Sequence, residues 1–169
     1  MNASRLLSAA VAAFIASGCT IPVASPPPTP VASGRYGATV SRIFELINAQ
    51  RRHQGLPALV YNAQLDQMAT IQAQNMAHFQ KMAHVIPEAS LSTMTDRARY
   101  VAYPFGRLAE NVALGFPDAE SVVQGWMTSR GHRANILNSD VLETGIAIAR
   151  SSAGGLYYCQ VFGRRLSSL

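Results

Sequence analysis

Apolar side chains at Val40, Ile43, Phe44 and Ile47 recur three to four residues apart, which places them on one face of an α-helix. Gly55 and Pro57 supply its stop signal. A second helix follows, with Asn62 as N-cap, an apolar stripe at Leu65, Met68, Ala69, Ala73, Met76 and Ala77, and an end near Lys81. Met82 continues the spacing of Met68 and Met76 and is expected to share their packing role. Thr93 and Asp96 stand at capping-box spacing and predict a shorter helix over 92–102. Asp118 caps a fourth, which runs through Val122, Val123 and Trp126, with Trp126 in the core.

The remaining regular segments read as strands: 108–114, then 144–150 and 156–162 as a hairpin around a Ser-Ser-Ala-Gly-Gly turn. In the last strand Leu156, Tyr158 and Phe162 face one way, and Tyr157, Cys159 and Val161 the other. Both faces are apolar. A strand buried on both sides needs helices above and below it, so the fold class is α+β, a three-layer α-β-α sandwich around a small, mainly antiparallel sheet. Cys159 is then a small core residue instead of a reactive thiol.

The 169-residue length fits one domain, whose core of roughly 130 residues buries about two thirds of its unfolded surface. Fourteen Lys and Arg against nine acids give a formal charge of +5, but the basic residues are scattered and not interleaved with aromatics. Nucleic acid is therefore not an expected partner. With two cysteines, Cys19 and Cys159, a disulfide scaffold is excluded.

The N-terminus has a different composition. Arg5 precedes an apolar stretch from Leu6 to Ile15 and then small residues, the pattern of an export signal over 1–18, too short for a membrane-spanning helix of about 20 apolar residues. Ala16-Ser17-Gly18-Cys19 resembles a lipobox, although Ala16 stands where Leu is more usual. The resemblance implies lipidation of Cys19, and two or more acyl chains there would anchor the protein to a membrane. Ordinary secretion, with Cys19 free or paired to Cys159, is the alternative. Pro22, Pro26, Pro27, Pro28 and Pro30 make 19–35 a polyproline-rich tether, and the folded domain occupies 36–166. Thr20 lacks the acidic side chain that retains lipoproteins at an inner membrane, so in a cell with two membranes the expected destination is the outer one.

Three segments carry a more specific signal. They are Leu108-Ala109-Glu110-Asn111-Val112-Ala113, then the run from Trp126 to Leu137 containing Gly131-His132-Arg133-Ala134-Asn135, then Tyr157 to Gly163. With Leu46-Ile47-Asn48-Ala49-Gln50-Arg51 and His84, these resemble the CAP superfamily (cysteine-rich secretory, antigen 5 and pathogenesis-related proteins) from about Tyr36 to Arg164. The resemblance implies a cleft lined by His84, Glu110 and His132. Ser129 stands where eukaryotic members carry a second Glu, and Ala102 where the family usually has Gly. No cofactor is required. Two imidazoles and one carboxylate nevertheless suit Zn²⁺ or another divalent cation, and the missing carboxylate weakens the case for Ca²⁺. The spacing of the three residues gives no independent support for a metal site, and Glu110 could equally hold loop amides and imidazoles by hydrogen bonds. Asn111 and Asn135 are expected to bond turn backbones, Arg133 to cover the cleft rim, and His53 and His78 to lie on the surface.

These features favour a non-enzymatic binding module at the cell envelope, taking a lipid, a divalent cation or an envelope protein or polymer. Phosphate loops, dinucleotide fingerprints and nucleophile motifs are missing from the sequence. The competing class is a hydrolase, either metal-dependent through His84, Glu110 and His132 or built on Ser129 with His132 and Glu110. A third class is a structural envelope domain whose polar cluster only fixes the fold.

Overall fold

The structure, a computed structural model, describes residues 35–166. The export signal, Cys19 and nearly all of the tether lie outside the described residues. Helix α1 (Gly37–His53) carries Val40, Ile43, Phe44 and Ile47 on its buried face, and α2 (Ala63–Phe79) buries the whole predicted stripe. Asn62 caps α2 by accepting from the amides of Gln64 and Leu65. Helix α3 (Met94–Tyr100) opens on the Thr93/Asp96 capping box and is shorter than expected. Helix α4 (Ala119–Thr128) begins at Asp118, which accepts from the Ser121 amide.

Two elements escaped the periodicity. A seven-residue helix, α5 (Arg130–Ile136), follows α4 directly, with Ser129 ending one and starting the other. Strand β1 (Val60–Tyr61) is only two residues long. Both are too short for a repeating pattern to register. Strand β2 (Phe105–Leu114) starts three residues earlier than the apolar pattern shows, and β3 (Glu143–Arg150) and β4 (Leu156–Arg165) form the predicted hairpin. Met82 lies beyond the end of α2 and is exposed, so its spacing with Met68 and Met76 is coincidental.

The sheet order is β1-β3-β4-β2, with β4 antiparallel to both neighbours and β1 parallel to β3. Helices α2 and α3 pack on one face, where Leu65, Met68 and Met76 meet Tyr157, Cys159 and Val161. Helices α1, α4 and α5 cover the other, where Ile43, Phe44 and Trp126 meet Tyr158 and Phe162. The alternation in β4 is the one its sequence dictates, and the molecule is a three-layer α-β-α sandwich.

Polar groups lock the layers together. Arg51 is fully buried at the end of α1 and donates to the carbonyls of Pro57, Ile136, Asn138 and Val141, joining α1 to the end of α5 and the approach to β3. The N-terminal end of α1 has no side-chain cap. Asn48 grips the backbone of Leu59, accepting from its amide and donating to its carbonyl.

Two backbone positions limit what the sequence can be. At the end of α3 the Tyr103 amide donates to Ala98 and the Ala102 amide to Arg99, a Schellman closure that puts Ala102 at φ +55°. A Cβ is disfavoured there. At Gly145 a Cβ would overlap the Asp66 backbone, because the first turn of α2 rests directly on β3. Ala102→Gly should therefore stabilise the domain by about 1 kcal/mol, whereas Gly145→Ala should destabilise it by about 3 kcal/mol or more, both measured by urea unfolding. An unchanged midpoint for Ala102→Gly would show that the closure carries no strain.

Candidate functional site

Strand β2 forms one outer edge of the sheet, and its neighbouring residues face opposite layers. Val112 packs with α2 and α3, and Glu110, two residues away, points to the same side, into a pocket that leaves its side chain 3% exposed. Asn111 points to the α4–α5 side and donates to the His132 carbonyl, while Asn135 donates to the Glu110 carbonyl and the Asn111 side chain. The Glu-Asn strand and the Gly-His-Arg-Ala-Asn helix are thus stitched together. Both asparagines bond backbone carbonyls, but in a helix and a strand where turns were expected, because α5 follows α4 directly and lies against β2.

A ring of hydrogen bonds surrounds the Glu110 carboxylate. Arg97 of α3, fully buried, donates Nη2 to Glu110 Oε2 at 2.6 Å and Nη1 to Gln72 Oε1 at 2.5 Å. Gln72 of α2 donates in turn to the carbonyl of Ala83 at 2.5 Å. That carbonyl immediately precedes His84, whose Nδ1 lies 2.9 Å from Glu110 Oε1 and closes the ring. The Cys159 thiol sits 3.6 Å from Glu110 Oε2, with its pKa raised by burial. A buried carboxylate of this kind costs several kcal/mol to desolvate unless fully bonded, and here both oxygens are engaged.

Because a carboxylate only accepts, His84 must donate from Nδ1. Its neutral form therefore turns the Nε2 lone pair away from Glu110. The His84 side chain is 57% exposed. Its pKa is raised, chiefly by the hydrogen bond to Glu110, with burial and the Arg97 charge opposing. His132, half-buried on α5, shifts the other way, first through burial and then through the nearby positive charge of His84. The two imidazoles thus lie within electrostatic reach of each other beside the β2 edge, with Glu110 beneath His84.

Glu110 is not presented as an open ligand. Its oxygens are held by Arg97, His84 and Cys159, and among the described residues no group of three or more His, Cys, Asp or Glu is gathered as a metal set. In this arrangement the donors do not fit a three-ligand ion. Glu110 is placed as an outer carboxylate that orients an imidazole, as acids hydrogen-bonded behind metal-bound histidines do. Ser129 joins α4 to α5, and among the described residues its hydroxyl makes no hydrogen bond to His132. Arg133 is exposed and contacts neither Glu110 nor a rim carbonyl by hydrogen bond, contrary to its expected covering role. His53 and His78 are on the surface.

Arg97 and Gln72 are the site residues that the sequence reading missed. Gln72 is in phase with Met68 and Met76 on the buried stripe of α2, and a polar residue at such a position signals a buried partner. Arg97 gives no comparable signal.

Comparison with known proteins places this arrangement in context. The model of the cysteine-rich secretory protein family (CAP) matches residues 44–162. The uncharacterized protein YkwD of Bacillus subtilis is 30% identical over 136 residues, covering 80% of this chain and 51% of the relative. The membrane protein YlbC of the same organism, also uncharacterized, is 29% identical over 73% of this chain and 34% of its own length. The chain thus spans about half or less of these curated relatives. Among solved structures, an extracellular SCP-domain protein of Bacillus anthracis superposes with TM-score 0.69 at 29% identity, covering 76% of this chain and 41% of that one. An outer surface protein of Borrelia burgdorferi reaches 0.72 at 19% identity, covering 79% and 97%, a likeness of fold.

The opposed histidine shifts have opposite consequences for stability. His84, with its pKa above 6.5 in the fold, contributes stability that is complete below 6.5 and is lost as pH rises through its folded pKa. His132, with its pKa below 6.5, favours the fold above 6.5 and loses that contribution as pH falls through its folded pKa. Thermal unfolding between about pH 5 and 8 should show the advantage of wild type over His84→Gln shrinking as pH rises, and that over His132→Gln shrinking as pH falls. Parallel curves for both variants would contradict the assignment. Arg97→Gln, which leaves Glu110 buried without its guanidinium, should cost about 3–5 kcal/mol by urea unfolding.

Proposed function

This chain belongs to the CAP family, and from that premise we propose that it is an exported, envelope-tethered binding module whose cleft beside β2 recognises a ligand without turning it over. The observation that carries this reading is the locked Glu110. A general base or nucleophile-activating carboxylate needs a free oxygen or a proton path to a reacting group. Glu110 offers no unengaged oxygen to a ligand, since Oε2 is held by Arg97 and Cys159 and Oε1 by His84, and it acts only through the His84 ring. What it supports is a rigid imidazole with Nε2 turned outward, beside a second imidazole of opposite pKa tendency. Such a pair can accept from a donor when neutral and donate to an anion when protonated.

Export and anchoring rest on separate grounds. The apolar segment ending in Ala16-Ser17-Gly18-Cys19 supports cleavage before Cys19 and its lipidation, and Thr20 supports the outer membrane where there is one. Two solved relatives are named as extracellular and outer surface proteins, which agrees with an exported chain. The proline-rich run up to residue 35 would then hold the domain away from the bilayer at ~3.1 Å per residue.

A hydrolytic reading predicts turnover that depends on His132 or Ser129. Wild type, His132→Ala and Ser129→Ala should give equal background rates on peptide and ester libraries, and turnover abolished by His132→Ala would reject the binding reading. Calorimetry of the full chain with Zn²⁺ and with phospholipid vesicles should give saturable binding to one of them that falls at least tenfold in His84→Ala and His132→Ala. A fall in melting temperature with no binding by wild type would favour the purely structural class. In cells fed alkyne-palmitate, the wild type should be labelled and Cys19→Ser should not; equal labelling would refute the anchor.

A further inference from the structure

The cleft uses one outer edge of the sheet, and the other edge is incomplete. Strand β1 pairs with β3 only at Val60↔Glu143 and Tyr61↔Thr144, where the amides of Val60 and Asn62 donate to the carbonyls of Leu142 and Thr144. At Asn62 the chain leaves this lane to begin α2. Backbone groups along a strand alternate sides with period two. Since Leu142 and Thr144 face β1, the N–H and C=O of Ile146, Ile148 and Arg150 face the same way.

Beside Ile146 the Tyr61 hydroxyl and the Asp66 carboxylate already occupy the lane, the hydroxyl 3.4 Å from the Ile146 carbonyl. Tyr61 gives its one proton to Asp66. Beyond them, among the described residues, Ile148 and Arg150 have no hydrogen-bond partner on this side, and Ser151 already turns inward to donate to Gly155. Alongside lies a cavity of about 210 Å³ between Tyr36 and Val40 on one side and Asp66 and Thr70 on the other, floored by residues 146–148. A second, of about 310 Å³, lies farther along the strand between Gln74 and His78 of α2 and residues 149–152. The Arg150 side chain, in phase with Ile146 and Ile148, turns to the other face, where its guanidinium lies against the hairpin turn at Gly154 and makes neither ion pair nor hydrogen bond with the described residues.

We propose that this lane is a second binding site, distinct from the cleft, which takes an extended peptide as an added strand beside β3. Unpaired strand groups select an extended backbone over a helix or a compact ligand. A guest parallel to β3, as β1 is, brings its C-terminal end to Arg150, and the unpaired cation at that end of the strand, beside the turn at Gly154, selects a carboxylate there. About four residues, spanning roughly 13 Å, cover the open edge.

The probe is a fluorescein-labelled Thr-Val-Thr-Val-Glu peptide with a free C-terminus, followed by anisotropy with the full chain. Saturable binding is expected, falling at least tenfold in Ile148→Pro, which removes an outward N–H while leaving the β4 ladder intact. Arg150→Glu should weaken it at least fivefold without affecting the fold, since Arg150 is exposed, and a backbone N-methylated peptide should not bind. His132→Ala should bind the peptide as wild type does, which separates this site from the cleft. Binding that is absent, or unchanged in both edge variants, would overturn the proposal. So would concentration-dependent dimers abolished by Ile148→Pro, which would give the edge to a second copy, or peptide binding that appears only after deletion of residues 20–34, which would give it to the chain's own leader.

Discussion

The site depends on a guanidinium and a carboxylate that meet out of reach of water. Arg97 and Glu110 come from different layers, one from a helix of seven residues and one from an edge strand, and neither could be buried alone without a penalty of several kcal/mol. Their 2.6 Å bond makes both burials tolerable only together. Gln72 then links the guanidinium to the Ala83 carbonyl, so the loop after α2 is fixed by the same charge pair. His84 owes its place to that loop. Local helix signals alone would leave α3 a short capped segment with nothing to set its rotation against the sheet.

Much of the architecture could be read directly from the residues. The stripes of α1 and α2, the caps at Asn62, Thr93 and Asp118, and the two apolar faces of β4 each obey a period that side-chain geometry enforces. What escaped was short or aperiodic: β1, α5 and the polar early part of β2. The site divides in the same way. Glu110 and His84 were found through local resemblance, and the structure joins them directly. Their controlling partner Arg97 was not found, because an arginine on a short helix looks like any solvated cation until its neighbours in space are known. The informative sign was an interruption: Asn48, Arg51 and Gln72 stand in phase with apolar residues on the buried faces of their helices, and each proves to bind backbone carbonyls.

The site also shows how one motif can serve chemistry and assembly at once. In Glu110-Asn111 the strand's alternation sends the carboxylate to the α2–α3 layer and the amide to the α4–α5 layer. The amide secures the backbone at His132, and the acid secures the ring of His84. Two adjacent residues therefore position two histidines from opposite sides of the sheet. A change at either position displaces a histidine through geometry, which is how one scaffold can keep its shape while its exposed groups vary.

Arg51 gives the domain a mechanical polarity. Helix α1 is the first element of the folded domain, so a pull from the N-terminal side loads it at Gly37, where no side chain caps the first turn. Its far end is held by four carbonyls drawn from three separate segments. Strain entering there can fray only the uncapped first turn before it meets the core contacts of Val40, Ile43, Phe44 and Ile47, with the arginine behind them. Under the tether proposed above, the domain would yield first at the end where it is held, at the turn that carries no cap.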